Sequence, residues 1–106
     1  MIQRMVLLKF KDEFANSDFR GEAASRSRRV LRNLPGVLDV SVGIPADKAT
    51  EGSWDLSMVL NFESVDAIST YIVHPDHRDY VDNFLKPHLE IIKAWNFDST
   101  SDPDFD

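Results

Sequence analysis

The chain of 106 residues contains no cysteine, which excludes disulfide bonds, thiol nucleophiles and thiolate metal sites. Its four glycines are scattered along the sequence, so it has no glycine-rich phosphate-binding loop. No apolar run approaches the roughly 20 residues that cross a bilayer, and we expect no association with membranes. The 12 basic residues are outnumbered by 18 acidic ones, and the net charge of −6 argues against nucleic acid as a partner.

The N-terminal segment 1–10 is too short and too interrupted by charge for a signal peptide. We therefore expect a cytoplasmic protein, which the lack of cysteine also fits. At 106 residues with 42% hydrophobic content, the chain suffices for one domain with one core.

What the sequence contains is a regular succession of strand and helix patterns. Four segments alternate apolar and polar residues as strands do: 2–10, 37–44, 54–63 and 89–98. Three segments repeat apolar residues at helical spacing: 17–33, 65–72 and 75–85. Ser17 or Asp18 is a suitable cap for the first helix and Ser64 for the second, while Pro75 suits the start of the third. This order predicts an α+β fold, the ferredoxin-like split βαβ pattern with a four-stranded antiparallel sheet and helices on one face.

The other face of that sheet presents apolar residues such as Met5, Leu7 and Val59, which are too apolar for open solvent. Two copies whose sheets close into a barrel would bury them, so we expect a homodimer through the open sheet face, a dimeric α/β barrel. We assign the domain to residues 1–98. The acidic, polar residues 99–106 are expected to form a disordered tail.

Acid–base chemistry near neutral pH depends on few groups here, because the chain has only three histidines. His77 falls on the apolar stripe of the third helix, where it could act as a base while Tyr71 orients a carbonyl as a hydrogen-bond donor. The alternative is a structural imidazole that bonds a backbone carbonyl or Tyr71 and sets the angle between two helices. We expect His74 to cap or cover the helix break before Pro75 and His88 to lie on the surface.

Arg4 lies on an otherwise apolar strand face, so its charge should reach the rim of the sheet or meet an anion. At a pocket it would bind the carboxylate or enolate of a small ligand. The predicted pocket between helices and sheet is lined by Arg4, Trp54, Leu56, Met58, Tyr80 and Phe84. The alternative is that these aromatic residues are plain core. His74 and His77 have no obvious third ligand, so we expect no transition metal and no other cofactor.

An ordered set of short motifs resembles the stress-responsive A/B barrel family, also called Dabb or the dimeric α/β-barrel domain. The matching pieces are VLLKFK at 6–11, LPGV at 34–37, FES at 62–64, YIVHPDH at 71–77 and LKP at 85–87. The resemblance implies a ferredoxin-like fold and a homodimeric barrel, and the family name implies a link to stress responses. It implies little about activity, because most members look like proteins of unassigned biochemical role.

One plant branch of that family, similar to olivetolic acid cyclase, closes a linear polyketide by aldol condensation without a cofactor. The resemblance places the tyrosine of that site at Tyr71 and its catalytic histidine at His77. Two further pocket histidines are replaced by Arg4 and Leu56, neither of which can accept a proton. The resemblance also implies a cation held by backbone carbonyls near three residues, Leu31, Leu34 and Val37.

Three functions remain open at this point, and with them the question whether the protein is an enzyme. The first is a Dabb protein of unassigned biochemical activity whose small hydrophobic pocket binds a small organic ligand, aromatic or polyketide-like. The second is a cofactor-free cyclase, isomerase or lyase with His77 as base and Tyr71 as donor. The third is a quinol- or haem-handling monooxygenase, as in related dimeric barrels.

Overall fold

A computed structural model describes residues 1–99 of the chain. Its four strands are β1 (Ile2–Phe10), β2 (Asp39–Gly43), β3 (Leu56–Phe62) and β4 (Leu89–Asp98). They form an antiparallel sheet in the order β2-β3-β1-β4, with β1 and β3 in the middle. This is the strand order of the split βαβ pattern, so the predicted α+β, ferredoxin-like fold is confirmed.

Five α-helices accompany the strands within residues 1–99: α1 (Ser17–Leu31), α2 (Lys48–Glu51), α3 (Val65–Val73), α4 (Pro75–Asp79) and α5 (Lys86–His88). A π-helical turn, Tyr80–Leu85, joins α4 to α5. The Ser64 side chain accepts a hydrogen bond from the Ala67 N–H at 3.1 Å, which confirms the predicted cap of α3. The cap of α1 is Asn16, one residue before the predicted Ser17. None of the helices within the described range is long and apolar enough to cross a membrane.

The core lies between the helices and one face of the sheet. Strands β1 and β3 alternate, so that every second residue of each points toward the helices. The buried residues on that face are Val6, Leu8, Phe10, Leu56, Met58, Leu60 and Phe62. Ala23, Ala24 and Leu31 of α1, together with Ile68 and Tyr71 of α3, cover them from the helix side. Apolar burial on this one face positions both helices against the sheet.

A register shift in β4 corrects one prediction about its faces. Strict alternation along 89–98 predicts that Leu89, Ile91, Trp95 and Phe97 lie on one side of the strand. In the structure the pairing of β1 with β4 shifts between Lys9 and Phe10. A bulge of this kind changes the side on which the following residues point. Leu89 therefore packs against the core on the helix side, while the other three residues lie on the open face.

The open face of the sheet is apolar, as predicted. Met5 is exposed and Leu7 and Val59 are half-buried. Trp95, which is paired with Met5 in the register of β1 and β4, has an exposed fraction of 47%, and Phe97 one of 52%. Large aromatic side chains exposed together on one sheet face are unusual for a surface that meets only solvent.

An ion pair inside the domain joins the helix layer to the sheet. The guanidinium of Arg20 on α1 donates from Nε and Nη2 to Asp55 Oδ1, each at 2.8 Å. The Phe10 N–H, at the end of β1, donates to Asp55 Oδ2 at 2.7 Å. Both charged residues are buried. The pair thus ties α1 to the ends of two strands, and no sequence pattern indicated it.

The predicted tail 99–106 lies outside the described residues, apart from Ser99. The Ser99 N–H donates to the Met1 carbonyl at 2.9 Å.

Candidate functional site

A cavity of about 210 Å³ opens between the sheet and the helices. Its floor is made by Arg4, Val6, Met58 and Leu60 of the two central strands. Its walls come from the segment that runs from α3 through α4 to the π-helical turn, including Tyr71, His77, Tyr80 and Leu85. Both residues of the predicted acid–base pair therefore line the same cavity, together with three predicted pocket residues, Arg4, Met58 and Tyr80.

The imidazole of His77 has a defined tautomer. Its Nδ1 lies 3.0 Å from the Ile72 carbonyl oxygen. Since a carbonyl can only accept, Nδ1 must donate and carry the proton. Nε2 then keeps its lone pair, and it has no hydrogen-bond partner within residues 1–99. No buried side-chain nitrogen or oxygen of the described chain lacks a partner, so this Nε2 is reachable from solvent or from the cavity.

The environment of His77 favours the neutral ring. Burial lowers its pKa below the usual value of 6.5, and the positive charges of Arg4 and Arg78 act in the same direction. The bond to the Ile72 carbonyl and the charge of Asp82 oppose this shift. A neutral imidazole with its lone pair on Nε2 is a base near pH 7. The alternative to a catalytic His77 is a structural imidazole that bonds a backbone carbonyl across the break between α3 and α4. That bond is present, from Nδ1 to the Ile72 carbonyl. The same bond leaves Nε2 available.

Tyr71 supplies a neutral hydroxyl beside that ring. Its own ring is buried, and the centroids of the Tyr71 and His77 rings are 4.4 Å apart. Burial raises the pKa of Tyr71 to about 12, although the charge of Arg4 opposes the shift. The hydroxyl makes no hydrogen bond to another group of residues 1–99, and by the same reasoning as for His77 it is accessible. It therefore has a proton to donate to a bound molecule.

The second tyrosine of the cavity differs, because its hydroxyl is already bonded. Tyr80 OH lies 2.6 Å from Ser27 Oγ on α1, and Ser27 is fully buried. Burial also raises the pKa of Tyr80. Tyr80 begins the π-helical turn, a local geometry that is frequent at functional sites. Its hydroxyl holds the turn against α1, so the ring serves as a wall of the cavity.

The Stress responsive A/B Barrel Domain family matches residues 2–99. The chain belongs to this family. No curated protein matches it significantly.

Solved structures share the fold of this Dabb domain. A Dabb family protein with a ferredoxin-like fold from Mesorhizobium loti has a TM-score of 0.78 at 17% identity, over 94% of this chain and 97% of that one. A dimeric ferredoxin-like protein of unknown function from Thermobifida fusca has a TM-score of 0.77 at 21% identity, over 92% of this chain and 90% of that one. Hydroxynitrile lyase from Passiflora edulis has a TM-score of 0.75 at 17% identity, over 95% of this chain and 94% of that one. At these identities the likeness shows the fold.

Three residues predicted for the pocket of this Dabb domain lie elsewhere. Trp54 precedes β3, which begins only at Leu56. Trp54 and Leu56 line a second cavity of about 250 Å³ beside the connection between β2 and β3. Phe84 lies in the π-helical turn and contacts α1 instead, with the guanidinium carbon of Arg26 4.3 Å from its ring centroid. An unbroken α-helix would put Phe84 on the same stripe as His77, seven residues before it, but the wider π turn breaks that stripe.

The two remaining histidines have structural roles. His74 Nδ1 accepts from the Asp76 N–H at 3.1 Å, which caps α4 as predicted. The prediction for His88 was wrong, since this residue is half-buried among aromatic rings. Its centroid is 4.6 Å from that of Phe14 and 4.7 Å from that of Phe19. These neighbours come from distant parts of the chain, so local periodicity could not reveal them.

The prediction of a cation at the end of α1 stays a prediction. The Leu31 carbonyl accepts from the Leu34 N–H at 3.2 Å, and the Leu34 carbonyl accepts from the Val37 N–H at 3.3 Å. Within residues 1–99 no three His, Cys, Asp or Glu side chains are grouped so that they could hold a metal ion.

Proposed function

We propose that the helix-side cavity binds a small, largely apolar organic molecule through an oxygen that accepts hydrogen bonds. One observation carries this proposal. Two polar groups on an otherwise mainly apolar wall, the Tyr71 hydroxyl and His77 Nε2, have no partner within residues 1–99. An apolar cavity with a few convergent polar groups is typical of a small-molecule site.

The volume limits the size of the ligand. An apolar cavity of about 150 Å³ accommodates benzene, so a cavity of about 210 Å³ has room for one substituted ring or a short branched chain. Pockets for drug-sized molecules are larger, roughly 300–1,000 Å³. The small volume therefore favours a small organic ligand over the haem alternative.

A second candidate function is cofactor-free acid–base catalysis, and the tautomer of His77 favours it. Nε2 would take a proton from a carbon next to a carbonyl, while the Tyr71 hydroxyl donates a hydrogen bond to the carbonyl oxygen as negative charge develops there. The Tyr71 pKa of about 12 suits a donor that keeps its proton. This chemistry fits a cyclase or an isomerase. On a cyanohydrin the same base would act as a lyase: Nε2 takes the hydroxyl proton, the bond to the nitrile carbon breaks to leave a carbonyl, and the proton passes to the released cyanide. Hydroxynitrile lyase from Passiflora edulis shares the fold.

A pair of tyrosine variants tests the binding proposal. Acetophenone, a ring with one carbonyl, is titrated into the protein and followed by NMR. Tyr71→Phe should weaken binding about fivefold, since one neutral hydrogen bond contributes about 1 kcal/mol. Tyr80→Phe is the matched control, because its hydroxyl is bonded to Ser27 and is not offered to a ligand. Equal weakening by both variants, or a wild type that shows no saturable binding, would contradict the proposal.

The catalytic proposal needs its own measurement. Ketones and cyanohydrins that fit the cavity are screened for product formation without added cofactor. Both His77→Gln and Tyr71→Phe should abolish turnover, whereas His74→Gln should retain it because His74 caps α4 instead of lining the cavity. Saturable binding without any product would leave the protein a binding module. Full turnover in both cavity variants would refute the assigned roles.

We also propose that a second copy of this chain covers the open sheet face. The exposed Met5, Ile91, Trp95 and Phe97 on one face support it, as does the dimeric state of the protein from Thermobifida fusca. Sedimentation should give twice the chain mass of 12.1 kDa. Trp95→Lys should yield monomers, and Val73→Lys on α3, an exposed position away from that face, should not. A wild type that is still monomeric at a concentration of about 100 µM would refute the proposal.

A further inference from the structure

The charged residues that line the helix-side cavity have one sign. They are Arg4 and Arg78, and no aspartate or glutamate lines it, although the chain has a net charge of −6. Arg78 is paired, since its Nη2 lies 2.9 Å from Asp82 Oδ1. Arg4 forms no ion pair with any carboxylate of residues 1–99. The cavity therefore contains one cation that the described part of the chain does not neutralise.

Arg4 is nevertheless held in place. Its Nη1 donates to Asn96 Oδ1 at 2.9 Å, and the two residues are partners in the register of β1 and β4. An amide oxygen orients a guanidinium without neutralising it. The guanidinium has further N–H donors, arranged in a planar fork that matches a carboxylate. Since the bond to Asn96 lies at an exposed position, the remaining donors can be reached by an anion from outside the chain.

We infer that Arg4, positioned by Asn96, binds a carboxylate and that the ligands of this cavity are small apolar monocarboxylic acids. This inference rests on the proposed ligand cavity. The carboxylate would lie on the Arg4 fork, and the apolar part of the acid would pack against Val6, Met58 and Leu60. A dianionic phosphate suits the site less well, because one guanidinium cannot match its charge and apolar walls cannot replace its water.

The test compares two probes of equal size, benzoate and benzamide, which differ in charge. Their affinities are measured by calorimetry for the wild type and for Arg4→Gln. The wild type should bind benzoate at least about tenfold more tightly, the effect of a charge-assisted over a neutral hydrogen bond. Arg4→Gln should remove this preference by weakening the binding of benzoate much more than that of benzamide. Arg29→Gln, on the exposed side of α1 and outside the cavity, changes the net charge equally and should keep the preference.

The outcomes separate this inference from the proposed function. If benzoate and benzamide bind equally and Tyr71→Phe weakens both, the cavity binds ligands but Arg4 does not select carboxylates. If neither probe binds, both the inference and the proposed cavity fail. If Arg29→Gln loses the preference as Arg4→Gln does, the effect is one of overall charge and the inference fails. Arg4→Lys provides a second variant in case Arg4→Gln does not fold, and it should keep part of the preference because the charge remains.

Discussion

Replacing Asp55 by asparagine tests how much the buried ion pair contributes to the stability of this domain. The carboxylate has an exposed fraction of 1% and accepts three hydrogen bonds, two from Arg20 at 2.8 Å and one from the Phe10 N–H at 2.7 Å. Asparagine has a similar shape but no charge, and one end of its amide is a donor that faces another donor. Arg20, with an exposed fraction of 8%, would keep only the carboxylate of Glu51 as a counter-ion, which lies 3.4 Å away and has a side chain that is 47% exposed.

The expected loss is about 3–5 kcal/mol, the cost of removing one partner from a buried pair. Domains of this size are stable by about 5–15 kcal/mol, so the variant should be close to unfolding. Urea denaturation followed by circular dichroism measures the change. If the unfolding free energy falls by about 1.5 kcal/mol per molar urea, the urea concentration at the midpoint of unfolding should fall by about 2–3 M. All proteins are compared at one concentration, because the stability of the proposed dimer would depend on it.

Two further variants control the reasoning. Glu51→Gln removes the outer partner of Arg20, whose Oε1 is 3.4 Å from Nη1 and whose side chain is 47% exposed. It should cost less than about 1 kcal/mol, as solvated pairs do. The double change Arg20→Met with Asp55→Leu should recover much of the loss, because it removes both charges together. An Asp55→Asn variant as stable as Glu51→Gln would refute the reasoning.

Three further predictions concern single groups. Burial lowers the pKa of His77, so NMR should show that its ring is still neutral just below pH 6.5. The unfolding free energy should therefore fall as the pH drops below about 6.5, where the ring of the unfolded chain takes up a proton. His77→Gln should reduce that fall. Tyr71 should ionise near pH 12 by ultraviolet absorbance. Since its unfolded pKa is about 10, this group should lower the unfolding free energy by up to roughly 3 kcal/mol between about pH 10 and 12. The fall should be smaller in Tyr71→Phe, where Tyr80 alone remains with a raised pKa. Gly36→Ala should lower the unfolding free energy, measured by urea denaturation, by about 1 kcal/mol or more, because Gly36 has a φ of +86°. Gly21→Ala in α1 should be neutral or stabilising, since an added Cβ there meets nothing within 4 Å.

The elements of the fold were predictable because their signals are local. Alternation along 2–10 and 54–63 matches β1 and β3, and the helix break at His74 and Pro75 matches the boundary between α3 and α4. Side-chain period and cap chemistry act within a few residues. Boundaries were less certain, as Trp54 outside β3 and the unpredicted helix α2 show.

The candidate site was predictable only in part. Tyr71, His77, Arg4, Met58 and Tyr80 do line one cavity, since strand alternation and helix stripes point them to the same layer. Phe84 does not, because the π-helical turn redirects it. The tautomer of His77 also could not be read from the sequence, since it depends on a bond to the Ile72 carbonyl across the helix break.

The sequence by itself determined the order of the four strands and of the helices α1, α3 and α4, the apolar faces of the central strands and the capping of α3 and α4. These properties depend on neighbouring residues and on fixed backbone periods. Only the tertiary structure decided the pairing of Arg20 with Asp55, the side on which Leu89 lies and the lack of a carboxylate beside Arg4 among residues 1–99. Each of these depends on groups from distant parts of the chain, whose distances and burial are set only when the sheet and the helices pack together.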